Sequence, residues 1–335
     1  MQNKGFDFIG KRKVFFILAV CVLVLGFVAN LILGTRMDIQ FTGGTIVKYS
    51  YTGEVDKAQL EDIFAKYTDG KESYSFATNN LTSGEDTNPN IVSVTLPVDA
   101  LLSTEDLSAM LTDLQAKLPG AKFHQVESST VEATMGREFF DKCMVAIVLA
   151  SVLMLVYVAI RFRRIGGWSA GLVALLALIQ DVLVAYFVFV IFRIELDDNF
   201  VAVVLSILGY SLNDTIVIYD RIRENRRLAP RASLSDVVNL SVNQSLRRTL
   251  NTSITTFVAV SCITVVALVY GLDSLLSFSV PMMFGILSGF YTTTFLAAPM
   301  WAWLKEKLNA RAVAKAEAAA EAKKAKKAAK KKGKK

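Results

Sequence analysis

The sequence predicts an α-helical polytopic membrane protein with six transmembrane helices and one extracytoplasmic α+β domain, of ferredoxin-like type, between the first two helices. Three observations lead to this prediction. Hydrophobic residues make up 53% of the 335 residues, which is high for a soluble domain of this size. Six apolar runs are long enough to cross a hydrocarbon core of about 30 Å. One polar interval of about one hundred residues separates the first run from the others.

The first apolar run, residues 14–33, follows Lys11, Arg12 and Lys13. A secretory signal has an apolar core of about 7–15 residues that ends at a small-residue cleavage site. This run is longer and leads into Gly34 without such a site, so we interpret it as an uncleaved transmembrane helix. Residues 1–13 are then a short cytosolic N-terminus.

Residues 34–138 have the composition of a folded soluble domain, which we call the head domain. Alternating apolar residues predict strands at 40–51, 73–78, 91–96 and 122–130, and helical periodicity predicts helices at 56–67 and 103–117. The order βαββαβ is that of ferredoxin-like domains. Residues 34–139 contain 16 acidic and 8 basic residues, which disfavours nucleic acid as a ligand of this domain.

Residues 139–304 contain the other five predicted spans, at about 139–160, 168–192, 200–219, 247–270 and 278–301. Basic residues are concentrated before the first span, after the second and between the fourth and fifth, where residues 221–248 contain seven arginines and two acids. The positive-inside rule places these segments and both termini in the cytosol. Residues 305–335 form a basic tail of lysine and alanine that lacks the apolar residues of a core.

The fourth span contains Asp214, and a carboxylate inside a membrane costs several kcal/mol unless it has a partner or a function. Helical spacing places Asp214 near Ser206, Tyr210 and Asn213, so we expect a polar stripe that faces other helices. Intramembrane acids usually mark ion or proton paths, although a stripe of this kind also stabilises helix contacts through hydrogen bonds.

The third span carries a second acid, Asp181, close to its midpoint. Two interpretations remain open for it: a place in a proton path, or a structural carboxylate that accepts hydrogen bonds from hydroxyl groups of neighbouring helices. The fifth span opens with hydroxyl residues at 252, 255 and 256, which we expect to pack against another polar stripe. In the sixth span Gly285, Ser288, Gly289 and Thr292 form a small-residue face suited to close helix packing.

Four sequence features together resemble the SecF family, the accessory subunits of the bacterial Sec protein-export machinery within the resistance-nodulation-division superfamily. They are the segments Gly209-Tyr-Ser-Leu-Asn-Asp214 and Asp220-Arg-Ile-Arg-Glu-Asn225, the motif Phe41-Thr42-Gly43-Gly44-Thr45, and Arg247-Arg-Thr-Leu-Asn-Thr-Ser-Ile-Thr-Thr256. The resemblance implies a proton relay in which Arg248 pairs with Asp214, Asn213 hydrogen-bonds to the acid, and Asp181 assists. The sequence departs from the family pattern at Gln40 and at Gln180, where the family usually has an acid and a histidine.

The resemblance further implies that the chain works with SecD at the SecYEG channel and uses the proton motive force to promote late translocation and release of the translocating polypeptide. A YidC-type insertase is a further candidate partner, and the basic tail is a candidate contact with lipid or the ribosome. The location implied is the bacterial inner membrane. The sequence contains no motif for an enzyme, a metal or a cofactor, so we expect none.

Two other functions fit the same pattern. The six spans resemble half of a resistance-nodulation-division exporter of lipids or small molecules, although such exporters carry larger outer insertions. Alternatively, Asp214 and Arg248 hold helices together in a passive assembly factor for the translocon. Co-purification in mild detergent distinguishes the exporter from the Sec proteins, and substitution of Asp214 distinguishes a driven subunit from a passive one.

Overall fold

The structure is a computed structural model of the chain. It describes residues 5–53, 55–68, 73–78, 90–96, 98, 102, 104–163 and 165–332. Among these residues, six helices or helical stretches are long and apolar enough to span a membrane, as predicted. The chain is therefore a multi-pass, mostly helical membrane protein.

The elements follow one another in an order that places a small sheet between two long helices. In chain order they are α1 (Arg12–Leu33), α2 (Ile39–Thr42), β1 (Gly44–Tyr51), α3 (Lys57–Thr68), β2 (Ser73–Thr78), β3 (Asn90–Leu96), α4 (Thr104–Lys117), β4 (His124–Val131), α5 (Ala133–Arg161), α6 (Gly167–Ile191), α7 (Asp198–Leu228), α8 (Leu234–Tyr270), α9 (Asp273–Tyr291), a π-helical segment (Thr292–Ala297) and α10 (Ala298–Lys332).

The long helices form a bundle with α6, α7 and α9 at its centre, since many of their side chains are buried. Helices α1 and α5 lie at the periphery, with large apolar side chains exposed along most of their length. Exposed apolar surface of this extent suits contact with lipid. Gly26 of α1 is buried against the ring of Phe187 in α6, so a larger residue there would collide with that ring.

One end of the bundle, which we call the terminal end, is closed by aromatic residues and by the N-terminal segment. The ring of Tyr219 in α7 packs against Phe162 and Trp301, with centroid distances of 5.4 and 5.9 Å. Before α1, the backbone of Phe6 donates to Asn243 of α8 at 2.9 Å. These contacts hold residues from both ends of the chain at the same end of the bundle.

Several helices are longer than the apolar runs that predicted them. Helix α7 continues to Leu228, nine residues past the predicted span, and α8 begins at Leu234, before its apolar part. The hydroxyl of Ser233 caps α8 by accepting from the backbone N–H of Asp236 at 3.0 Å. An apolar run marks the part of a helix that can lie in lipid. The helix itself ends where a capping residue satisfies its terminal backbone groups and the chain turns away.

The head segment contains a four-stranded sheet of order β2-β3-β1-β4, in which every neighbouring pair is antiparallel. Val47 of β1 lies opposite Val94 of β3, and both are fully buried. They share one apolar core with Phe64 of α3 and Met110 of α4. The strands and helices occur in the predicted order, and one face of the sheet is covered by the two helices.

The prediction of a strand from residue 40 is wrong at its beginning, because residues 39–42 form the short helix α2. The carboxylate of Asp38 caps this turn by accepting from the backbone N–H of Gln40 at 2.8 Å. The chain then passes through Gly43 and Gly44, whose φ angles are +79° and +139°. Only glycine adopts these angles without strain, so the glycine pair lets the chain leave α2 and enter β1.

The sixth span is not one regular helix. Residues Thr292–Ala297 form a π-helical segment between α9 and α10, and α10 continues into the basic tail as far as Lys332. Segments of π-helix are rare and occur often at functional sites.

Candidate functional site

Asp214 is a buried acid with one carboxyl oxygen that has no hydrogen-bond partner among the described residues. It lies on α7 among buried neighbours and is 3% exposed. That oxygen is Oδ2, which is itself buried. A buried polar atom without a partner costs about 1–3 kcal/mol, and more if it is charged. The carboxyl group of Asp214 is therefore held in an environment that disfavours the ionised form unless another charge compensates it.

Arg248 of α8 is the residue that can supply such a charge. It lies within electrostatic range of Asp214, although the two side chains form neither a hydrogen bond nor an ion pair within 4 Å. Arg248 and Asn213 line a cavity of about 980 Å³ between α7 and α8, at the terminal end of the bundle. The structure thus brings three of the predicted site residues together, with the guanidinium near the acid but not bound to it.

Asp181 has the opposite environment. It is fully buried in α6 and accepts hydrogen bonds from hydroxyls of α7, α9 and the π-helical segment. Ser288 donates to Oδ1 at 2.6 Å, Ser211 donates to Oδ2 at 2.7 Å, and Thr292 lies 2.9 Å from both oxygens. In this structure both carboxylate oxygens of Asp181 therefore accept hydrogen bonds from neighbouring helices, which are the contacts expected of a structural carboxylate.

The hydroxyl cluster around Asp181 connects α7 to the π-helical segment. Thr293 lies within 3.5 Å of the Ser211 hydroxyl and 3.3 Å of the Thr215 hydroxyl. Ser211 and Thr215 flank Asp214 on the same helix. The hydroxyl of Ser211, three residues before Asp214 on α7, therefore bonds to Asp181, and among the described residues the two acids share no hydrogen bond.

The predicted polar stripe of α7 is only partly covered within this chain. Tyr210 donates to Ser253 of α8 at 2.8 Å, and Asp214 is buried. Ser206, Gly209 and Asn213, however, are exposed. Helices of this chain therefore cover Tyr210 and Asp214 in the stripe, and the expectation that other helices face the rest of it stays a prediction.

The hydroxyl residues at the start of the fifth span agree with expectation only in part. Thr252 and Thr255 donate to carbonyl oxygens of their own helix, one turn earlier. Tyr210 in the stripe of α7 is met by the hydroxyls of Thr256, one of the predicted residues, and of Ser253, which was not predicted. Threonine and serine in a span often satisfy their own hydroxyls in this way, which spacing alone does not reveal.

At the opposite end of the bundle, the head end, Phe41 fixes the start of the head segment to the long helices. Its ring stacks on Phe139 at a centroid distance of 5.7 Å and meets the edge of Phe140 at 5.3 Å, both from α5. The same apolar cluster includes Phe189 of α6 and Leu196 of the loop that follows it. We call this contact the joint.

Backbone pairing strengthens the joint. Met37, next to α2, forms a parallel bridge with Leu196. The N–H of Asp38 donates to the Leu196 carbonyl at 3.0 Å, and the N–H of Leu196 donates to the Arg36 carbonyl at 2.9 Å. Gly43 packs so closely on the backbone of Ala133 that an added Cβ would lie 2.6 Å from it. The four motif residues Phe41, Thr42, Gly43 and Gly44 therefore lie where the sheet, α5 and the loop between α6 and α7 meet.

Three acids gather beside the joint. Burial raises the pKa of Asp38, Glu195 and Asp197 above their ordinary values, and repulsion from nearby carboxylates, including that of Asp198, raises each pKa further. Arg36 opposes the shift at Glu195, and Ser277 and Asn199 oppose it at Asp197 by donating hydrogen bonds. Protonation at this end of the molecule therefore relieves a local excess of negative charge.

The fold and the two intramembrane carboxylates define a polytopic membrane protein with polar groups placed inside its bundle. Comparison with known proteins is more specific. Residues 111–307 match the family model for the C-terminal part of the protein-export membrane proteins SecD and SecF. The protein translocase subunit SecF of Acidaminococcus fermentans is 34% identical over 307 residues, which cover 91% of this chain and 99% of that protein. The chain belongs to the SecF family.

Other relatives agree with this assignment. The SecF of Sebaldella termitidis is 31% identical and covers 86% of this chain. The crystal structure of SecDF from Thermus thermophilus, a translocon-associated membrane protein, superposes with a TM-score of 0.73 at 28% identity. That match covers 90% of this chain but 39% of SecDF, so this chain spans about two fifths of the longer protein. The names of these relatives support an accessory role in Sec translocation.

The residues that the sequence did not identify are the hydroxyl donors to Asp181. Ser211 follows a residue of the expected stripe, and Ser288 and Thr292 were interpreted only as a packing face. Their spacing along α9 and the π-helical segment was a usable signal, since small hydroxyl residues opposite an intramembrane acid are its expected donors.

Proposed function

We propose that this chain works with SecD as an accessory subunit of the Sec translocase and uses the proton motive force to promote late translocation and release of exported polypeptides at SecYEG. Membership of the SecF family supports the pathway. The buried, unpartnered carboxyl of Asp214 is the observation that carries the proton-driven part, since its charge state depends on what approaches it. In this proposal the chain is not an enzyme and no cofactor takes part.

The proposed orientation places the terminal end in the cytosol and the head domain outside the bacterial inner membrane. The distribution of arginine and lysine supports it. We further propose that residues 34–138 form a ferredoxin-like head domain. The observed element order and the sheet order β2-β3-β1-β4 support this assignment.

SecD is the proposed partner of the exposed face of α7. Ser206 and Asn213 lie on that face, and polar groups in a span are costly against lipid. The SecDF relatives are single chains, much longer than this one, and about two fifths of their length corresponds to it. A second bundle placed against α7 would cover the exposed part of the stripe, so we expect the two proteins to co-purify, with SecYEG and a YidC-type insertase as further partners.

The proposed proton-responsive unit consists of Asp214, Arg248 and Asn213. Burial favours the protonated acid, whereas approach of the Arg248 guanidinium favours the ionised acid. A small shift of α8 against α7 therefore changes which form is stable, and a change of protonation shifts the helices in return. Transfer of one proton across the membrane provides about 2.3 kcal/mol per 100 mV of potential. In this proposal Asn213, the neighbour of the acid in sequence, hydrogen-bonds to either form of the acid.

The joint is the proposed route from this unit to the head domain. Helices α6 and α7 are joined by the loop that contains Leu196, and Leu196 pairs with the chain next to Phe41. A displacement of α6 and α7 at the head end therefore acts directly on the base of the head domain. The translocating polypeptide would be affected through the movement of that domain.

The test is export into inverted membrane vesicles, with and without an uncoupler, using three variants. Asp214→Asn keeps the shape of the side chain but cannot ionise, and we expect it to abolish uncoupler-sensitive stimulation while assembly with SecD persists. Arg248→Met should do the same. Asp181→Asn is the matched control, because the same change is made at an acid with a full set of hydrogen-bond donors, and we expect a milder loss.

A different outcome would favour the passive assembly factor. If Asp214→Asn retained full uncoupler-sensitive stimulation, the acid would serve only to hold helices together. If Asp181→Asn abolished stimulation as completely as Asp214→Asn, the two acids would act as one relay and the contrast between their environments would have no functional meaning.

A further inference from the structure

The N-terminal segment of residues 5–10, which we call the strap, is attached to α8 by two asparagines one turn apart. Asn243 accepts from the backbone N–H of Phe6 and donates to the Phe6 carbonyl, both at 2.9 Å. Asn239 accepts from the backbone N–H of Phe8 at 2.9 Å. Four residues of a helix rise about 6 Å, and two residues of an extended chain span about 6.6 Å. The two asparagines therefore match the spacing of alternate backbone groups in the strap.

The beginning of the strap lies in close contact with Asn243. A Cβ atom added at Gly5 would lie 2.5 Å from Oδ1 and 2.6 Å from Cγ of this asparagine. Any other residue at position 5 would therefore push the asparagine out of its place between the strap and α8. The attachment depends on the absence of a side chain at Gly5 as well as on the two hydrogen bonds of Asn243.

The other side of the strap packs on the π-helical segment. Phe8 and Ile9 are buried. The centroid of the Phe8 ring lies 5.5 Å from that of Phe295, and the ring of Phe295 also meets Phe15, in the first turn of α1, at 4.8 Å. The hydroxyl of Tyr291 donates to the Phe15 carbonyl at 2.6 Å. The strap and the start of α1 thus connect α8 to the place where α9 ends and the π-helical segment begins.

The two elements that the strap connects carry groups that surround the two intramembrane acids. Arg248 follows Asn243 by five residues on α8, or about 7.5 Å along the helix axis. Thr292, three residues before Phe295 in the π-helical segment, donates to Asp181 at 2.9 Å. The strap is therefore a direct connection between the helix of the guanidinium and the segment that contains a donor to the second acid.

Two kinds of contact hold α8 on the terminal side of Arg248. Val238 and Val242 are fully buried in an apolar cluster that includes Trp301. Asn239 and Asn243, next to them in sequence, bond to the strap. Apolar contact is non-directional, whereas a hydrogen bond requires a narrow range of distance and angle. The asparagines therefore determine where α8 stands along its own axis more strictly than the valines do.

We propose that Asn239 and Asn243 are positioning residues, which act through the strap to fix the register of α8 and with it the place of Arg248 beside Asp214. This inference rests on the proposed function, in which a small shift of α8 against α7 changes which form of the acid is stable. With the strap attached, α8 and the π-helical segment move together. A shift of α8 then also displaces Thr292, so the surroundings of both acids change in one step.

The first measurement is the distance between spin labels on α8 and α10 in the full chain in detergent. Arg247→Cys and Leu308→Cys provide exposed positions for the labels once the native cysteines are removed. Asn239→Ala together with Asn243→Ala should raise the detached fraction of the strap about tenfold, since hydrogen bonds of two side chains are lost, and should broaden the distance distribution. Asn251→Ala is the matched control, an exposed asparagine of α8 whose side chain bonds to no described residue, and it should leave the distribution unchanged.

The second measurement is uncoupler-sensitive export, in which the double alanine variant should lose most of its stimulation. A disulfide should restore it. Gly5→Cys and Asn243→Cys, combined with Asn239→Ala in a chain without the native cysteines, bring two Cβ atoms within about 4.1 Å, because the Cβ at position 5 lies 2.6 Å from Cγ of Asn243 and one bond of roughly 1.5 Å separates Cγ from Cβ. The oxidised protein should approach native stimulation, and the reduced protein should resemble the double alanine variant.

Three outcomes would overturn the proposal. An unchanged distance distribution in the double alanine variant would show that the strap does not position α8. A broadened distribution with native stimulation would show that the register of α8 has no part in the reaction. Equal stimulation of the oxidised and reduced cysteine variants would show that attachment of the strap is not what the asparagines contribute. Because the distance measurement needs no gradient, retained stimulation in Asp214→Asn would count against the proposed function and leave the positioning of α8 intact.

Discussion

Ser288 donates a hydrogen bond of 2.6 Å to the carboxylate of Asp181, a residue that precedes it by 107 positions. The contact joins α9 to α6 in the interior of the bundle, where both residues have little or no exposure. It is one of several such bonds at Asp181, whereas Oδ2 of Asp214 on the neighbouring helix has no partner in the part of the chain that the structure describes. The two acids therefore differ in the hydrogen-bond donors that surround them, although each lies within an apolar span.

The first prediction concerns the donors to Asp181. Ser288→Ala should lower the free energy of unfolding by about 1–3 kcal/mol, because it removes a hydrogen bond to a buried carboxylate. Ser151→Ala is the control, since that hydroxyl donates only to the carbonyl of Ile147 in its own helix. Thermal unfolding in detergent measures both. Equal midpoints for the two variants would show that the Ser288 bond contributes nothing to stability.

The second prediction concerns the joint. Phe41→Ala should remove the ring that packs on Phe139, Phe140 and Phe189 and should destabilise the contact by about 3 kcal/mol. The sheet itself should remain folded, because its core is a separate cluster. We expect gradient-dependent export to fall while circular dichroism and assembly with SecD stay unchanged. Phe41→Leu should retain part of the activity.

A cross-link provides the complementary experiment on the joint. The variant carries Met37→Cys and Leu196→Cys in a chain from which the native cysteines have been removed. These two positions already pair as neighbouring strands do, and the strand spacing of about 4.8 Å permits a disulfide. If the joint stays closed while the bundle moves, the oxidised protein should keep its stimulation. Loss of stimulation on oxidation, with recovery on reduction, would contradict a permanently closed joint.

The third prediction separates two costs of replacing a glycine. Gly43 and Gly53 share a φ of +79°, but only Gly43 packs against another backbone, that of Ala133. Alanine at either position should cost about 1–3 kcal/mol in backbone strain, because a positive φ favours glycine. Gly43→Ala should cost a further 1–3 kcal/mol, roughly, because the joint must open to accept the methyl group. Unfolding midpoints should therefore rank native, Gly53→Ala, Gly43→Ala, and similar values for the two variants would argue against the close contact.

The fourth prediction is a pH dependence at the head end. The pKa of Glu195 is raised from 4.5 by burial and by the charges of Asp38 and Asp197, with Arg36 acting against them. The folded state then binds a proton more tightly than the unfolded state, so this group's contribution favours folding at low pH and is lost as pH rises through the raised pKa. Glu195→Gln should flatten the dependence of the unfolding midpoint on pH above 4.5. The exposed control Glu61→Gln should leave its slope as in the native chain.

Sequence reasoning located the spans because hydrophobic length is a local property, and it located Asp214 and Asp181 because an acid in such a run is conspicuous. It did not distinguish their environments. That difference depends on Ser211 and Ser288, which reach Asp181 from other helices, and no local pattern specifies such a meeting. The start of β1 was misplaced for a similar reason, since the cap that Asp38 provides competes with an alternating pattern that continues through residue 40.

The π-helical segment has a consequence for how the last span is interpreted. A π turn contains about one residue more than an α turn, so the helix on either side of residues 292–297 is in a different angular phase. A helical wheel drawn without interruption from residue 278 to residue 301 would misplace everything after the segment by up to roughly 100°, the angle of one residue. The buried faces of the helix before and after the π-helical segment therefore follow separate periodicities. Trp301 is buried on the face that belongs to the second part, and Ser288 on the face that belongs to the first.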